Sequence, residues 1–281
     1  MIIHLKTQEE IEGFRRAGRE AARILRVLLG KVYAGMTTAN LDEIARLECQ
    51  QIDAEPTFLN YNGFPAAICT SVNKVLVHGI PNSKKLEIDD LLSIDLGVTI
   101  DGFIGDVAST IRVPEHFRDS LAEIKYVQNY GPVYGDLQDF YNFAHIFVSE
   151  IQLILACREA LSRGIEKAVA GNKLSDISEA ISKVANKHKL SMPIQYGGHG
   201  INRFVLHAQP FIPNDPQLME EDVTLYPGMV LAIEPMFIDS KSNRVEVISD
   251  GWSVVAQGNA AHCEHTIVVT DSDPLILTEE V

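Results

Sequence analysis

The 281-residue sequence predicts an α+β fold with two pseudo-symmetric halves, in which a central, mostly antiparallel sheet has its helices on the outside. Two observations carry this prediction. Amphipathic helical segments come in two pairs, and a series of short strand-like runs follows each pair. Such a separation of helical and strand segments along the chain is typical of α+β proteins.

The first helical pair opens with a helix start signal, because Thr7-Gln8-Glu9-Glu10 has the form of a capping box. A turn near residues 34–37 separates this helix from a second one over about residues 40–51. The apolar residues of the first helix recur at helical spacing, which predicts one buried face: Ile11, Phe14, Ala17, Ala21, Leu25 and Leu28.

A weak repeat supports the two-half prediction. Ala34-Gly35 followed by residues 41–44 resembles Ala170-Gly171 followed by residues 177–181, at one constant offset, and a helix over about 151–169 precedes the second copy. So short a match is common by chance, so duplication remains a hypothesis at this stage.

Strand-like runs lie at residues 67–72 and 91–96 in the first half. Residues 97–113 predict a hairpin that turns at Asp101-Gly102. The second half offers runs at 229–235, 252–255 and 265–270. Residues 115–144 lack periodicity and predict an insertion. We therefore expect a single domain over residues 1–281 that carries this insertion.

The composition excludes several classes of function. A formal charge of -14 without a basic stripe argues against binding to nucleic acid. No apolar run approaches the roughly 20 residues of a membrane span, and no secretory signal is visible. The four cysteines are scattered without a C-x-x-C pair, which disfavours a structural zinc knuckle. We expect a cytoplasmic monomer.

Four carboxylates lie within or beside apolar strand-like sequence: Asp95, Asp106, Glu234 and Glu264. A single one could be a strand-end charge that faces water. Four, two in each half, favour a cation, because buried ionised carboxylates are costly without a partner.

His199 lies between two glycines, a position more often found in a turn than in a metal site. Together with the four carboxylates it makes an oxygen-rich set with one imidazole. Such a set suits two divalent ions such as Co, Mn, Fe or Zn, whose identity the sequence does not fix. His78 and His207 stand out as well, although each could equally be an ordinary surface histidine.

The ordered motifs of the chain resemble those of the type 1 methionine aminopeptidases nearly from end to end. The motifs are Lys6-Thr7-Gln8-Glu9-Glu10-Ile11, Tyr61-Asn62-Gly63-Phe64-Pro65, Ser71-Val72-Asn73, His78-Gly79-Ile80-Pro81, Ile94-Asp95, Asp101-Gly102-Phe103-Ile104-Gly105-Asp106, Gly198-His199-Gly200-Ile201, Ile233-Glu234-Pro235, Asp250-Gly251-Trp252 and Glu264-His265-Thr266-Ile267-Val268-Val269-Thr270.

This resemblance implies the pita-bread fold and a two-metal hydrolase that removes the N-terminal methionine from nascent proteins and peptides. It implies five metal ligands (Asp95, Asp106, His199, Glu234 and Glu264), with Glu234 also the base. His78 would contact the substrate and His207 the carbonyl oxygen. The methionine pocket would contain Tyr61, Phe64, Cys69 and Trp252, with Phe58 beside them.

The expected mechanism is attack of a metal-bridging hydroxide on the first peptide bond. The ribosome is an implied partner, because the family acts on nascent chains. Two alternatives stay open: a proline-directed aminopeptidase related to prolidase, and a non-catalytic pita-bread binding module.

The chain departs from the family pattern at four points. Asn202 stands where a glycine usually ends the glycine-rich turn, and His207 lies one residue further from His199 than expected. His262 stands where a glutamine is more usual. The stretch between Asp106 and His199 is longer than expected.

Overall fold

The computed structural model describes residues 3–116 and 148–279. Four helices lie in these ranges: α1 (Gln8–Leu29), α2 (Thr38–Gln51), α3 (Val148–Ile165) and α4 (Leu174–His188). The strands of the first half are β1 (Glu55–Pro56), β2 (Cys69–Val72), β3 (Val75–Val77), β4 (Leu91–Ile100) and β5 (Phe103–Arg112). Those of the second half are β6 (Gly197–Asn202), β7 (Val205–Pro213), β8 (Val230–Ile233), β9 (Met236–Ile238), β10 (Val245–Val247), β11 (Val254–Ala256), β12 (Ala260–His262), β13 (Glu264–Val268) and β14 (Leu275–Ile276).

The start of α1 is the one that the sequence predicts. The Thr7 hydroxyl accepts a hydrogen bond from the backbone N–H of Glu10, and the Glu10 carboxylate accepts one from the N–H of Thr7. These two bonds satisfy backbone donors that the first helical turn cannot pair internally. Thr37 and Asn40 cap α2 in the same way, so this helix begins two residues earlier than predicted.

The main sheet crosses both halves in the order β1-β4-β5-β13-β8-β6-β7, with β2 beside β4 and β14 beside β13. Its pairs are antiparallel, as predicted. The hairpin of β4 and β5 turns at the predicted Asp101 and Gly102, both of which have positive φ. Strand β5 of the first half pairs with β13 of the second, so the two halves meet at this pair.

Helices of each half pack on one face of the sheet. Ile24 and Leu28 of α1 lie in one apolar cluster with Ile94 of β4 and Val107 of β5. A second cluster joins α3 and α4 to β8 and β13. Side chains alternate between the two faces of a strand, so the neighbours of these core residues, Asp95 and Asp106 among them, point to the opposite face. The sheet thus separates the helical core from the functional residues.

The two halves share a backbone pattern beyond their order of elements. The turn after each leading helix has a glycine with positive φ, and each turn forms the same pair of hydrogen bonds with a later loop. This correspondence supports the repeat seen in the sequence, because backbone bonds do not depend on the side chains that differ. The bonds are Gly35 N to Leu86 O and Leu86 N to Met36 O in the first half, and Gly171 N to Leu225 O and Leu225 N to Asn172 O in the second.

The contact between α1 and β5 depends on Gly105. A Cβ on Gly105 of β5 would overlap the backbone of Ala17 and Gly18 in α1. The helix therefore lies closer to the strand than any side chain would permit. This contact fixes β5, the strand that carries Asp106, against the first helix.

Within the described ranges, none of the helices combines the length and the apolar character that crossing a bilayer requires. Most of the insertion predicted at about residues 115–144 falls outside these ranges, so it stays a prediction.

Candidate metal centre and substrate cavity

Strand register places three of the carboxylates on one face of the sheet. Asp95 of β4 lies opposite Ala108 of β5, and Ala108 lies opposite Glu264 of β13. Residues directly opposite each other share a face, so both carboxylates flank the small side chain of Ala108. Asp106 lies two residues before Ala108 and points to the same side.

The second half adds two groups to this face. His199 of β6 lies opposite Ala232 of β8, which in turn lies opposite Thr266 of β13. Glu234 follows the last residue of β8, two positions after Ala232. The alanine again leaves room for the longer polar side chains beside it.

These five side chains converge. The distance from His199 Nε2 to Glu234 Oε1 is 3.4 Å, and that from His199 Nε2 to Asp106 Oδ2 is 3.9 Å. Exposed fractions run from 2% for Glu264 to 9% for Asp95. All five residues predicted as metal ligands therefore lie together, buried, on one face of the main sheet.

The electrostatics of this cluster call for a cation. Burial raises the pKa of Asp95, Asp106, Glu234 and Glu264, and mutual repulsion raises it further for Asp95, Asp106 and Glu264. Burial also lowers the pKa of His199 to about 3.

One oxygen on each of three of these carboxylates is buried without a hydrogen bond: Asp95 Oδ1, Asp106 Oδ1 and Glu264 Oε1. Unpaired buried oxygens of this kind suit a hard or borderline divalent ion. In the described residues, two groups of three side chains could each hold a metal ion, because the ligand atoms within each group all lie within 4.8 Å of one another. Glu264 belongs to both groups. The first is Asp106, His199 and Glu264, and the second is Glu234, His262 and Glu264. The residues present therefore fit a divalent metal.

The carboxylates line a cavity of about 210 Å³. Every residue predicted for substrate contact also lines it: Phe58, Tyr61, Phe64, Cys69, His78, His207 and Trp252. The rings of Phe64 and Trp252 meet edge to face with centroids 5.2 Å apart. Burial raises the pKa of the Cys69 thiol, so it remains neutral and contributes an apolar wall.

His78 and His207 face the cavity as neutral imidazoles. Burial lowers the pKa of His78 to about 4 and also lowers that of His207. The hydroxyl of Tyr61 lies 3.1 Å from Nδ1 of His207. The ring of His207 meets that of His199 edge to face at 4.5 Å.

The sequence interpretation of residues 198–202 as a glycine-rich turn is wrong, because these residues belong to strand β6. Their glycines serve close packing: a Cβ on Gly198 would overlap Ala232 O, and one on Gly200 would overlap Gln209 O. Asparagine can replace the usual glycine at position 202 without backbone strain, since the φ of Asn202 is not positive, whereas that of Phe204 is 61°.

His262 belongs to the cavity but was absent from the predicted site residues. The only signal in the sequence was its departure from the expected glutamine. Leu206 and Met236 also line the cavity and extend its apolar surface.

Comparisons with known proteins agree with this architecture. The model of metallopeptidase family M24 matches residues 12–271. A methionine aminopeptidase of Aquifex aeolicus is 35% identical, with 99% of this chain and 100% of the relative covered. The crystal structure of methionine aminopeptidase from Rickettsia prowazekii superposes with a TM-score of 0.83 at 32% identity, over 99% of this chain and 100% of that chain.

A prolidase from Pyrococcus furiosus shares the fold, with a TM-score of 0.68 at 18% identity, over 99% of this chain and 66% of that chain. The predicted pita-bread fold is therefore confirmed. Because the family model spans nearly the whole chain and relatives align from end to end, this chain belongs to metallopeptidase family M24.

Proposed function

We propose that this chain is a metal-dependent aminopeptidase that removes the N-terminal methionine from peptides and nascent proteins. The observation that carries the proposal is the convergence of four buried carboxylates and His199 on one largely apolar cavity. The full-length similarity to proteins named methionine aminopeptidase supports the choice of substrate.

Asp95, Asp106, His199, Glu234 and Glu264 are the proposed ligands of two divalent cations, with Co, Mn, Fe and Zn as the candidates. Glu264 is a member of both donor groups, which suits a carboxylate shared between two ions. When bound, divalent cations would acidify a water molecule and polarise the scissile carbonyl.

Glu234 is the proposed proton carrier of the reaction. Its carboxylate would accept a proton from the attacking water and hold it. Return of that proton to the departing amine completes hydrolysis. The geometry allows this role because Glu234 lines the cavity that would hold the substrate.

His207 and His78 are the proposed donors to the substrate. A Tyr61 hydroxyl that donates to Nδ1 of His207 leaves the imidazole proton on Nε2. That N–H can then stabilise the negative charge that develops on the carbonyl oxygen. His78, also neutral, lines the same cavity and would contact the substrate beside the scissile bond.

The apolar walls of the cavity support selection of methionine. Phe58, Phe64 and Trp252 present aromatic surfaces, and thioether sulfur makes favourable contacts with aromatic rings at about 5 Å. The cavity has a small volume, which favours one side chain over an extended peptide. Proposed substrates of this kind arise on ribosomes, so a cytoplasmic site of action near the ribosome belongs to the same proposal.

Hydrolysis of a Met-Ala-Ser peptide tests the proposal directly. Protein from which a chelator has removed the metal would be assayed with Mn²⁺, Co²⁺ or Fe²⁺ and again with excess chelator. Leu-Ala-Ser and Ala-Pro are the matched control peptides. We expect metal-dependent release of methionine and little turnover of either control. Turnover of Ala-Pro alone would instead assign the chain to the proline-directed activity, and no turnover of any peptide would contradict an aminopeptidase.

A further inference from the structure

We infer that His262 is an additional ligand of the proposed metal site, which would then contain two imidazoles. The inference rests on the proposed function only in requiring that the site binds a metal. It starts from the side chain's position: His262 Nε2 lies 3.3 Å from Glu234 Oε2 and 3.8 Å from Glu264 Oε2.

These distances match those expected between two donors on one ion. With bonds of about 2.0–2.2 Å, two donors at angles between 90° and 180° lie roughly 3 to 4.3 Å apart. His199 Nε2 stands at nearly the same distances from its own carboxylate neighbours, 3.4 Å and 3.9 Å. Geometry therefore does not distinguish His262 from the histidine already predicted to bind metal.

The hydrogen bonding of the ring favours coordination over a bond to Glu234. His262 is 2% exposed, and its Nε2 is fully buried without a hydrogen-bond partner. The nearby Glu234 oxygen is close enough for a hydrogen bond, but the two groups are not oriented to form one. A buried ring nitrogen left unpaired costs free energy, and a metal ion in the same donor group would satisfy it.

The backbone holds His262 in this place. Its N–H donates to Thr110 Oγ1 at 2.9 Å, and its carbonyl oxygen accepts from the same hydroxyl at 2.7 Å. Strand β12 also pairs His262 with Met236 of β9. The backbone of His262 is thus fixed in advance of binding, and burial encloses its ring, as suits a metal ligand.

A second imidazole has a consequence for metal choice. Nitrogen donors favour Zn²⁺, Co²⁺ and Fe²⁺, whereas carboxylates and water suit Mn²⁺ and Mg²⁺. His262 should therefore bias the site toward the first group. The His262→Gln variant should lose more affinity for Co²⁺ than for Mn²⁺.

Pulsed EPR of the Mn²⁺-loaded protein tests the inference, because imidazole nitrogens bound to Mn²⁺ modulate the echo. We expect two coupled imidazoles in the wild-type chain and one in His262→Gln. His207→Gln is the matched control, since it removes another imidazole of the cavity that the inference excludes as a ligand, and it should keep both couplings.

Calorimetric titration with Co²⁺ gives the second measurement. We expect His262→Gln to weaken Co²⁺ binding about 10- to 100-fold or more. Loss of a residue that only hydrogen-bonds to a metal ligand can weaken binding equally. The number of imidazole nitrogens coupled to Mn²⁺ therefore distinguishes the two roles of His262. One coupled imidazole in the wild-type chain would overturn the inference even where no variant folds. Methionine release with one coupled imidazole would refute only the role of His262, whereas two couplings without methionine release would refute only the proposed function.

Discussion

The two halves of the molecule supply the proposed metal ligands in different ways. The first half contributes Asp95 and Asp106 from one continuous hairpin, β4 and β5, whose register is set by a tight turn. The second half contributes His199 from β6, Glu234 from the residue just after β8, and Glu264 from β13, three segments that are distant in sequence. One half thus preforms its share locally, whereas the other needs long-range strand pairing.

The difference shows where the site is assembled. Strand β13 pairs with β5 across the boundary between the halves, and Thr266 Oγ1 accepts from Asp106 N at 2.9 Å and donates to Asp106 O at 2.8 Å. Glu264 and Asp106 therefore lie on neighbouring strands from opposite halves. A cation bound there would link the two halves.

The largest expected effect comes from removing one carboxylate from either side of this boundary. Asp106→Asn and Glu264→Gln should each lower kcat/KM for Met-Ala-Ser by about 10³-fold or more, because loss of metal-centred charge stabilisation costs several kcal/mol. Peptide kinetics and metal titration would measure both effects. If one variant stayed active, the proposed ligand set would be wrong for that half.

Asp101→Asn is the control for these substitutions. Asp101 lies on the same hairpin as Asp106 but at its exposed turn, where it pairs with Arg16. Exposed ion pairs contribute at most about 1 kcal/mol, and asparagine tolerates the positive φ of this position. Its kcat/KM should therefore remain within about twofold of the wild-type value.

The next largest effect is expected when a chelator removes bound metal: the free energy of unfolding of the metal-free protein should depend on pH. The carboxyl pKa values are raised in the folded state above 3.8 for Asp and 4.5 for Glu. The stabilisation by their bound protons is complete below about pH 4 and is lost as the pH rises through the raised values. The buried histidines have pKa values lowered from 6.5, so only above about pH 7.5 are they neutral in both states and without effect on the slope.

Above about pH 7.5, the Tm of the metal-free protein should therefore fall as the pH rises through the raised pKa values of these carboxyl groups. Metal at 100 times its Kd should restore about 2.7 kcal/mol. At a fixed metal concentration the gain should grow with pH, because cations replace protons on the same oxygens. Scanning calorimetry at several pH values would measure it. A gain that is the same at every pH would contradict the proposed exchange.

The smallest effect is expected for two glycine substitutions that compare how the helices of the two halves pack on the sheet. Gly105→Ala in β5 forces a Cβ against the backbone of α1 and should lower the free energy of unfolding by about 1–3 kcal/mol. The Cβ that Gly164→Ala adds to α3 would contact only side-chain atoms, with Ile181 Cγ1 at 3.2 Å and Ile233 Cγ2 at 3.3 Å. Alanine's helix propensity offsets that crowding, so the net change should stay below about 1 kcal/mol.

Urea denaturation would measure both variants. Equal losses would mean that α1 and α3 approach the sheet equally closely, against the packing described here.

The features predicted well from the sequence are those fixed by short-range chemistry. The capping box of Thr7 and Glu10 marked the start of α1, and Asp101-Gly102 marked the hairpin turn. The four carboxylates in apolar runs were expected to be buried together, because such charges need partners, and the structure brings them to one cavity.

The features missed depend on contacts between distant segments. Residues 198–202 look like a turn in the sequence, because the neighbouring backbones that require glycine there come from the distant residues Ala232 and Gln209. His262 looks like an isolated histidine, and only the fold brings it to Glu234. Neither partner is visible in local sequence.

The position of β13 bears on how the protein is made. Every other strand that carries a proposed ligand precedes it in the chain, so a growing polypeptide cannot complete the donor set until this strand has been synthesised and paired with β5. The chain thus becomes able to bind metal at the full donor set only late in translation. For a protein whose proposed substrates are growing chains, this order keeps an unfinished copy from acting as a catalyst during its own synthesis.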